Sequence, residues 1–260
     1  MSAAGEGNRD GAMVQLLRVE KLSKNGILRE VSFGVEQGEM AAIMGPSGSG
    51  KSTLLYNVSG MDRPDSGRVW LGDTEITSLT EDERAKLRLS RMGFVFQQMN
   101  MVANLNILDN ILLPAIRRNK GKGGKSKAQI RQEAERLMEK LSISGLGEQG
   151  IAQVSGGELQ RACICRSMIN RPEILFADEP TGALNKGAAT EVMDELARLN
   201  REGTGILMVT HDSRIASYCD RILYLLDGRI CGELTLGKPA AGEERRREQK
   251  VGRWLAGMGW

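Results

Sequence analysis

Eight residues constrain this chain more than any other stretch: Gly45, Pro46, Ser47, Gly48, Ser49, Gly50, Lys51 and Ser52, in that order. They fit the spacing G-x-x-x-x-G-K-[ST]. Triphosphate oxygens must be met by several inward-pointing backbone N–H groups, and glycines let a loop curl and bring its backbone close. A helix starting at Lys51 turns its positive end toward the anion. In that arrangement Lys51 reaches the β- and γ-phosphates, and the Ser52 hydroxyl, followed by Thr53, binds Mg²⁺. A glycine-rich turn that merely precedes a lysine is the alternative. Here an apolar run, residues 40–44, leads in and a helical stretch leads out to Gly60, which is the context a phosphate loop needs.

A second apolar run, residues 174–178, ends in Asp178, Glu179 and Pro180. A buried strand delivers two carboxylates at its C-terminal end, where ligands bind in open α/β sheets. Asp178 is placed to hold Mg²⁺, and Glu179 to orient and polarise an attacking water. An acidic turn before a proline is unremarkable alone; beside a phosphate loop it reads as the partner carboxylates.

The remaining chain alternates strand-like and helical stretches, which indicates an α/β fold with a parallel sheet. Strands are expected at 14–19, 31–35, 67–71, 93–97 and 205–210, with a hairpin over 221–234. Thr80 with Glu83, and Ser126 with Gln129, are capping boxes that open helices. Ile130, Ala134, Leu137 and Leu141 recur at helical spacing. Residues 1–12 read as a disordered lead, 13–236 as one domain with a helical part at about 98–170, and 237–260 as a charged tail. Residues 117–127 carry six basic side chains and no acidic one. Lipid headgroups or nucleic acid could be met there, but a solvated loop explains the composition with nothing aromatic interleaved.

Net charge is +3 and aromatics make up 4%, too little of either to argue for a nucleic-acid partner. No apolar run reaches the ~20 residues that span a bilayer, and the first residues lack the apolar core of a signal peptide. The chain is expected in the cytoplasm. Cys163, Cys165, Cys219 and Cys231 lack metal-ligand spacing and read as reduced thiols.

Ser155, Gly156, Gly157, Glu158, Leu159, Gln160 and Arg161 narrow the reading. Ser155 and Glu158 form a capping box, yet two consecutive glycines cost a helix interior about 1 kcal/mol each relative to Ala. They make sense if a first helical turn must expose its N–H groups to an anion. This segment resembles the signature motif of the ATP-binding-cassette (ABC) ATPases, and the resemblance covers residues 14–236 with the motifs in family order. It implies a P-loop NTPase core with a mainly parallel sheet, an antiparallel β-subdomain and a helical subdomain. It also implies ATP hydrolysis with Mg²⁺, and a homodimer in which each signature turn (Ser155 to Glu158) faces the nucleotide on the other copy. Gln97 matches the glutamine that links Mg²⁺ to a membrane permease, so attachment to the cytoplasmic face of the membrane is expected through such a partner. His211 matches the switch histidine near the γ-phosphate.

Three positions depart from the family pattern. Asn185 stands where an Asp is usual. The stretch 21–26 has no aromatic to stack on adenine. Glu158 stands where many members have Gln. Residues 93–114 and 211–230 look most like the branch that serves bacitracin-type antimicrobial-peptide transporters, with lipoprotein-releasing, macrolide-export and cell-division ATPases close by. A chromosome-organising ATPase would need a long heptad coiled coil, and a translation factor would need a second set of motifs. A regulatory nucleotide-binding subunit with little hydrolysis is opposed by Glu179 and His211, while Asn185 and the missing aromatic leave room for it.

Overall fold

The computed structural model describes residues 15–119 and 124–260; the expected disordered lead and the centre of the basic 117–127 segment lie outside the described residues. In chain order the first elements are β1 (Gln15–Lys24), β2 (Leu28–Glu36), β3 (Met40–Met44), α1 (Lys51–Val58), β4 (Ser66–Leu71), β5 (Thr74–Glu75), α2 (Glu81–Arg91) and β6 (Met92–Phe96). Three helices follow, α3 (Ile107–Arg118), α4 (Lys127–Lys140) and α5 (Gly156–Met168). The rest comprises β7 (Ile174–Asp178), α6 (Lys186–Arg201), β8 (Gly205–Val209), α7 (Ser213–Ala216), β9 (Arg221–Leu226), β10 (Arg229–Thr235) and α8 (Glu244–Gly257).

Two sheets form: a four-stranded antiparallel one ordered β2-β1-β4-β5, and a six-stranded one ordered β10-β9-β3-β8-β7-β6. In the larger sheet every pairing is parallel except the edge hairpin of β9 with β10. Three of its four inner strands, β3, β7 and β8, are buried at every position, as expected for parallel strands covered on both faces. Along β3, Met40, Ala42 and Met44 face the core shared with the helical part. Ala41 and Ile43 face the core shared with α1 and the antiparallel sheet. Ile130, Ala134 and Leu141 are buried at the spacing read from the sequence.

Register aligns the functional loops. Phe96 lies opposite Asp178, Asp178 opposite Val209, and Ile43 opposite Val209. The loops after β3, β6, β7 and β8 therefore leave the same sheet edge, carrying the phosphate loop, Gln97, Glu179 and His211 together.

Two expectations need correction. Strands β1 and β2 are longer than the stretches 14–19 and 31–35. Their pairing runs through irregular register near Leu22, with Lys21 and Glu30 in left-handed conformations at φ 47° and 53°, which no periodicity announces. Residues 237–260 are also more than a charged tail, because α8 packs back on the domain. Val251 and Leu255 are 0% and 2% exposed, and Trp254 and Met258 lie where Gly232 has no side chain. Buried Arg247 donates to the carbonyls of Ser217 (2.8 Å), Cys219 (2.7 Å) and Leu236 (3.2 Å). Of the cysteines, Cys163, Cys165 and Cys219 are buried and free, whereas Cys231 is exposed. Burial pushes the Cys163 thiol up to about 11, which keeps it unreactive.

Candidate active site

The phosphate loop is held by what surrounds it. A side chain at Gly45 would run into the Leu225 carbonyl, so only glycine lets the loop leave β3 along this path. Gly50 sits at φ 98° at the start of α1 and supplies no capping side chain, and the first turn has no acidic residue. The amide groups of that turn are thus left for an anion. Ser49 is buried beneath the loop at 5% exposure, while Ser47 and Gly48 lie toward its outer rim.

Lys51 Nζ donates to the carbonyls of Gly45 (2.8 Å) and Pro46 (3.0 Å). Burial holds its ammonium below the usual lysine range, and the Glu179 and Asp178 carboxylates oppose that shift. Ser52 Oγ donates to Asp178 Oδ1 at 3.0 Å, and the Tyr56 hydroxyl donates to Asp178 Oδ2 at 2.8 Å. Burial first, then the hydrogen bond and charge of Asp178, push the Tyr56 phenol up to about 12, so it remains a donor at neutral pH. Thr53, one residue after Ser52, lines no part of the cavity described next.

A cavity of about 510 Å³ opens over the loop, lined by Gly45, Pro46, Ser47, Lys51, Glu179 and His211, with Tyr224, Leu226 and residues 258–260 closing one side. Glu179 adopts φ 48°, a costly conformation for a non-glycine residue that clusters at functional sites. His211 Nδ1 and Glu179 Oε1 are 2.8 Å apart. Gln97, just past β6, lies against Gly182, where an added Cβ would come within 3.0 Å of Gln97 Nε2.

The turn at residues 155–158 is built as the capping box suggested. Ser155 Oγ accepts from the Glu158 amide, and the Glu158 carboxylate accepts from the Ser155 amide at 2.8 Å. The Ser155 hydroxyl also donates to that carboxylate at 2.7 Å, and this bond first, then the one from the Ser155 amide, holds the Glu158 carboxyl below its ordinary range. The turn is not among the residues lining the cavity of its own chain, so one chain does not bring its two anion-seeking helix ends together. Gly157 is buried against Ala188, whose Cβ would lie 3.0 Å from an added Cβ, whereas Gly156 is exposed. Asn185 caps α6, accepting from the Ala188 amide at 3.0 Å. In place of an aromatic at the loop's other flank stands Ile27, 43% exposed and beside Gly50.

Three contributors escaped the sequence reading. Tyr56 lies four residues after Ser52 and so shares its helix face, which was a usable signal. Gln160 Nε2 donates to the Pro180 carbonyl at 2.7 Å, tying α5 to the strand end that carries Asp178 and Glu179. Residues 258–260 reach the cavity only because α8 folds back.

Residues 28–182 match the sequence family described as ABC transporter. The chain is 44% identical to the uncharacterized ABC transporter ATP-binding protein YbbA of Escherichia coli strain K12, over 78% of this chain and 88% of that one. It is 38% identical to the lipoprotein-releasing system ATP-binding protein LolD of Aquifex aeolicus, over 86% and 99%. It is 37% identical to the macrolide export ATP-binding/permease protein MacB of Campylobacter jejuni, over 82% of this chain and 33% of that larger protein. Among solved structures, a dimeric bacterial ABC transporter cassette, MJ0796, superposes with TM-score 0.78 at 35% identity, covering 85% of this chain and 98% of the cassette. The same cassette has been captured dimeric in a post-hydrolysis state bound to ADP and Pi. With a phosphate loop, a carboxylate-ended strand and these relatives, the chain belongs to the ABC transporter family, as an ATP-binding ATPase subunit of the LolD and MacB type.

Proposed function

We propose that this chain is the motor of a transporter whose membrane-spanning permease is a separate protein, and that two copies enclose two ATP molecules between them at the cytoplasmic face of the membrane. The observation that carries the reading is the cavity that gathers Lys51, Glu179 and His211, with Glu179 and His211 2.8 Å apart. Residues 45–53 cradle the triphosphate. Lys51 neutralises the β- and γ-oxygens. Glu179 orients and polarises the attacking water, and His211 holds Glu179 and meets the γ-phosphate. The cavity of one copy is completed by residues 155–158 of the other. No nucleic-acid partner enters this reading.

Mg²⁺ fits the donors present. Ser52 Oγ and Asp178 Oδ1 are hard oxygens already 3.0 Å apart, suited to an ion that takes one or two protein oxygens and completes its shell with phosphate and water. Among the described residues no cluster of three His, Cys, Asp or Glu offers a metal site of its own. Bound there, with Gln97 nearby, the ion would spread the charge of the β- and γ-phosphates.

For cargo, the likeness of residues 93–114 and 211–230 supports an antimicrobial peptide of the bacitracin type. The names of LolD and MacB support the neighbouring reading, a lipoprotein or macrolide transporter. Among the described residues no helix is long and apolar enough to cross a membrane, in keeping with a permease as a separate partner. A groove of about 360 Å³ suits it, lined by Met61, Leu89, Phe94, Phe96 and Pro114 with Arg88 and Arg166 at its edges. Met61 is 38% exposed, so Met61→Glu should fold. A carboxylate facing an apolar partner is costly to desolvate. When the tagged chain is isolated from a native detergent extract, the variant should recover at least tenfold less membrane protein than wild type, with ATP turnover of the isolated chain retained. Equal recovery would move the docking site elsewhere.

Asn185 gives a second test. Asp caps a helix as well as Asn does, so Asn185→Asp should shift stability by only a few tenths of a kcal/mol. If the missing carboxylate limits communication between copies, phosphate release should rise several-fold. Unchanged or slower release would show a site adapted to Asn.

A further inference from the structure

Trp260 is the most exposed large hydrophobic side chain among the described residues, at 46%, in a chain with only 4% aromatics. Its position is fixed. α8 is anchored through Val251 and Leu255, and Gly259 turns the backbone at φ +82°. The Trp260 amide donates to the Leu255 carbonyl at 3.1 Å. The indole packs edge-on against buried Tyr224, ring centres 6.2 Å apart and planes at 70°. Tyr224 is the strand partner of Met44, the residue before the phosphate loop. A half-bare ring is thus held on the scaffold that launches the loop, in the wall of the cavity holding Lys51, Glu179 and His211.

We propose that Trp260 is an anchor for a second copy of this chain, covered by the partner's residues 151–157 when ATP closes the interface. The proposal rests on the two-copy reading above and extends it to a residue outside the family-matched stretch 28–182. The occupant follows from continuity. The indole shares a cavity wall with the groups that the second copy's turn must approach, so a body seated on that nucleotide meets the ring. Tryptophan is enriched among residues that dominate interface energy, because it buries a large rigid surface at little entropic cost. The segment before the partner's signature turn offers half-buried Ile151 and Val154, apolar groups for the indole face.

The test uses full-length Glu179→Gln protein at saturating ATP, so that nucleotide affinity does not limit the result, with the dimer dissociation constant measured by sedimentation. Adding Trp260→Ala should raise that constant about tenfold or more. Adding Trp260→Phe, which keeps the ring's packing on Tyr224, should raise it less than about threefold. The fluorescence of Trp260, taken as the difference between Glu179→Gln and its Trp260→Phe derivative, should become protected from acrylamide when ATP is added. An alanine variant that dimerises as tightly as its parent would overturn the proposal. Tighter dimerisation, or greater quenching with ATP, would make residues 258–260 an obstruction and overturn it equally. A Glu179→Gln parent that stays monomeric at saturating ATP would bring down the two-copy reading and this anchor with it. A dimerising parent with an indifferent Trp260 would remove the anchor alone.

Discussion

Glu179→Gln lowers ATP turnover by about a hundredfold to ten-thousandfold, the range expected when a positioned general base is lost, while ATP binding persists. Gln keeps the size and shape of the side chain. It can still face His211, now 2.8 Å from Glu179 Oε1, but cannot draw a proton from water. The backbone at φ 48° is set by the hydrogen bond from the Glu179 amide to the Val209 carbonyl, 3.0 Å, and that bond survives the substitution. Chains that bind ATP but cannot cleave it should then accumulate as ATP-dependent dimers on size exclusion. A second arm tests what completes the cavity. Gly157 is packed against Ala188, so an aspartate there would disturb its own chain. Gly156 is exposed, with the nearest atom to an added Cβ at 3.5 Å, Leu184 Cδ2. Gly156→Asp in the Glu179→Gln background should place a carboxylate against the partner's nucleotide and return the protein to monomer. Retained dimer in that double variant would mean that residues 155–158 do not face the nucleotide.

Lys51→Ala should abolish detectable phosphate release and weaken ATP binding by roughly ten- to a hundredfold, since a charge-assisted hydrogen bond contributes about 1.5–3 kcal/mol. Lys51 is the one lysine or arginine among the residues lining the cavity. It bonds the Gly45 and Pro46 carbonyls, and a phosphate would take over one or both of those contacts. Calorimetric titration with ATP separates loss of binding from loss of chemistry. Turnover at the wild-type rate would remove Lys51 from the site.

The core motifs were legible because their chemistry is local. A loop that wraps phosphate needs its glycines and lysine within eight residues, and a carboxylate at a strand end needs only an apolar run before it. The gathering of Gln97, Glu179 and His211 was legible only through resemblance, since the registers of β6, β7 and β8 that align them are long-range. Helix α8 was missed for a different reason. Its seven charged side chains between Glu244 and Arg253 hide Val251, Trp254, Leu255 and Met258, which recur at i, i+3, i+4 and i+7 and mark a buried helical stripe. Judged by charge it is a tail; judged by period it is a helix. The lengths of β1 and β2 carried no such mark, because left-handed Lys21 and Glu30 break the alternation that would have extended them.

The signature turn lies outside its own chain's cavity, and on the two-copy proposal this would set the order of the reaction as well as its geometry. If the partner's turn is required, a lone chain carries two half-sites and no whole one. At concentrations below the dimer dissociation constant, turnover then grows with the square of the chain concentration. Two copies fastened to one permease would see each other at an effective concentration fixed by the permease, in the millimolar range for short tethers. Under that condition the rate follows the number of assembled transporters instead. A cell could then hold surplus cassette apart from its permease and spend little ATP on it, because assembly on the permease would be what completes the enzyme.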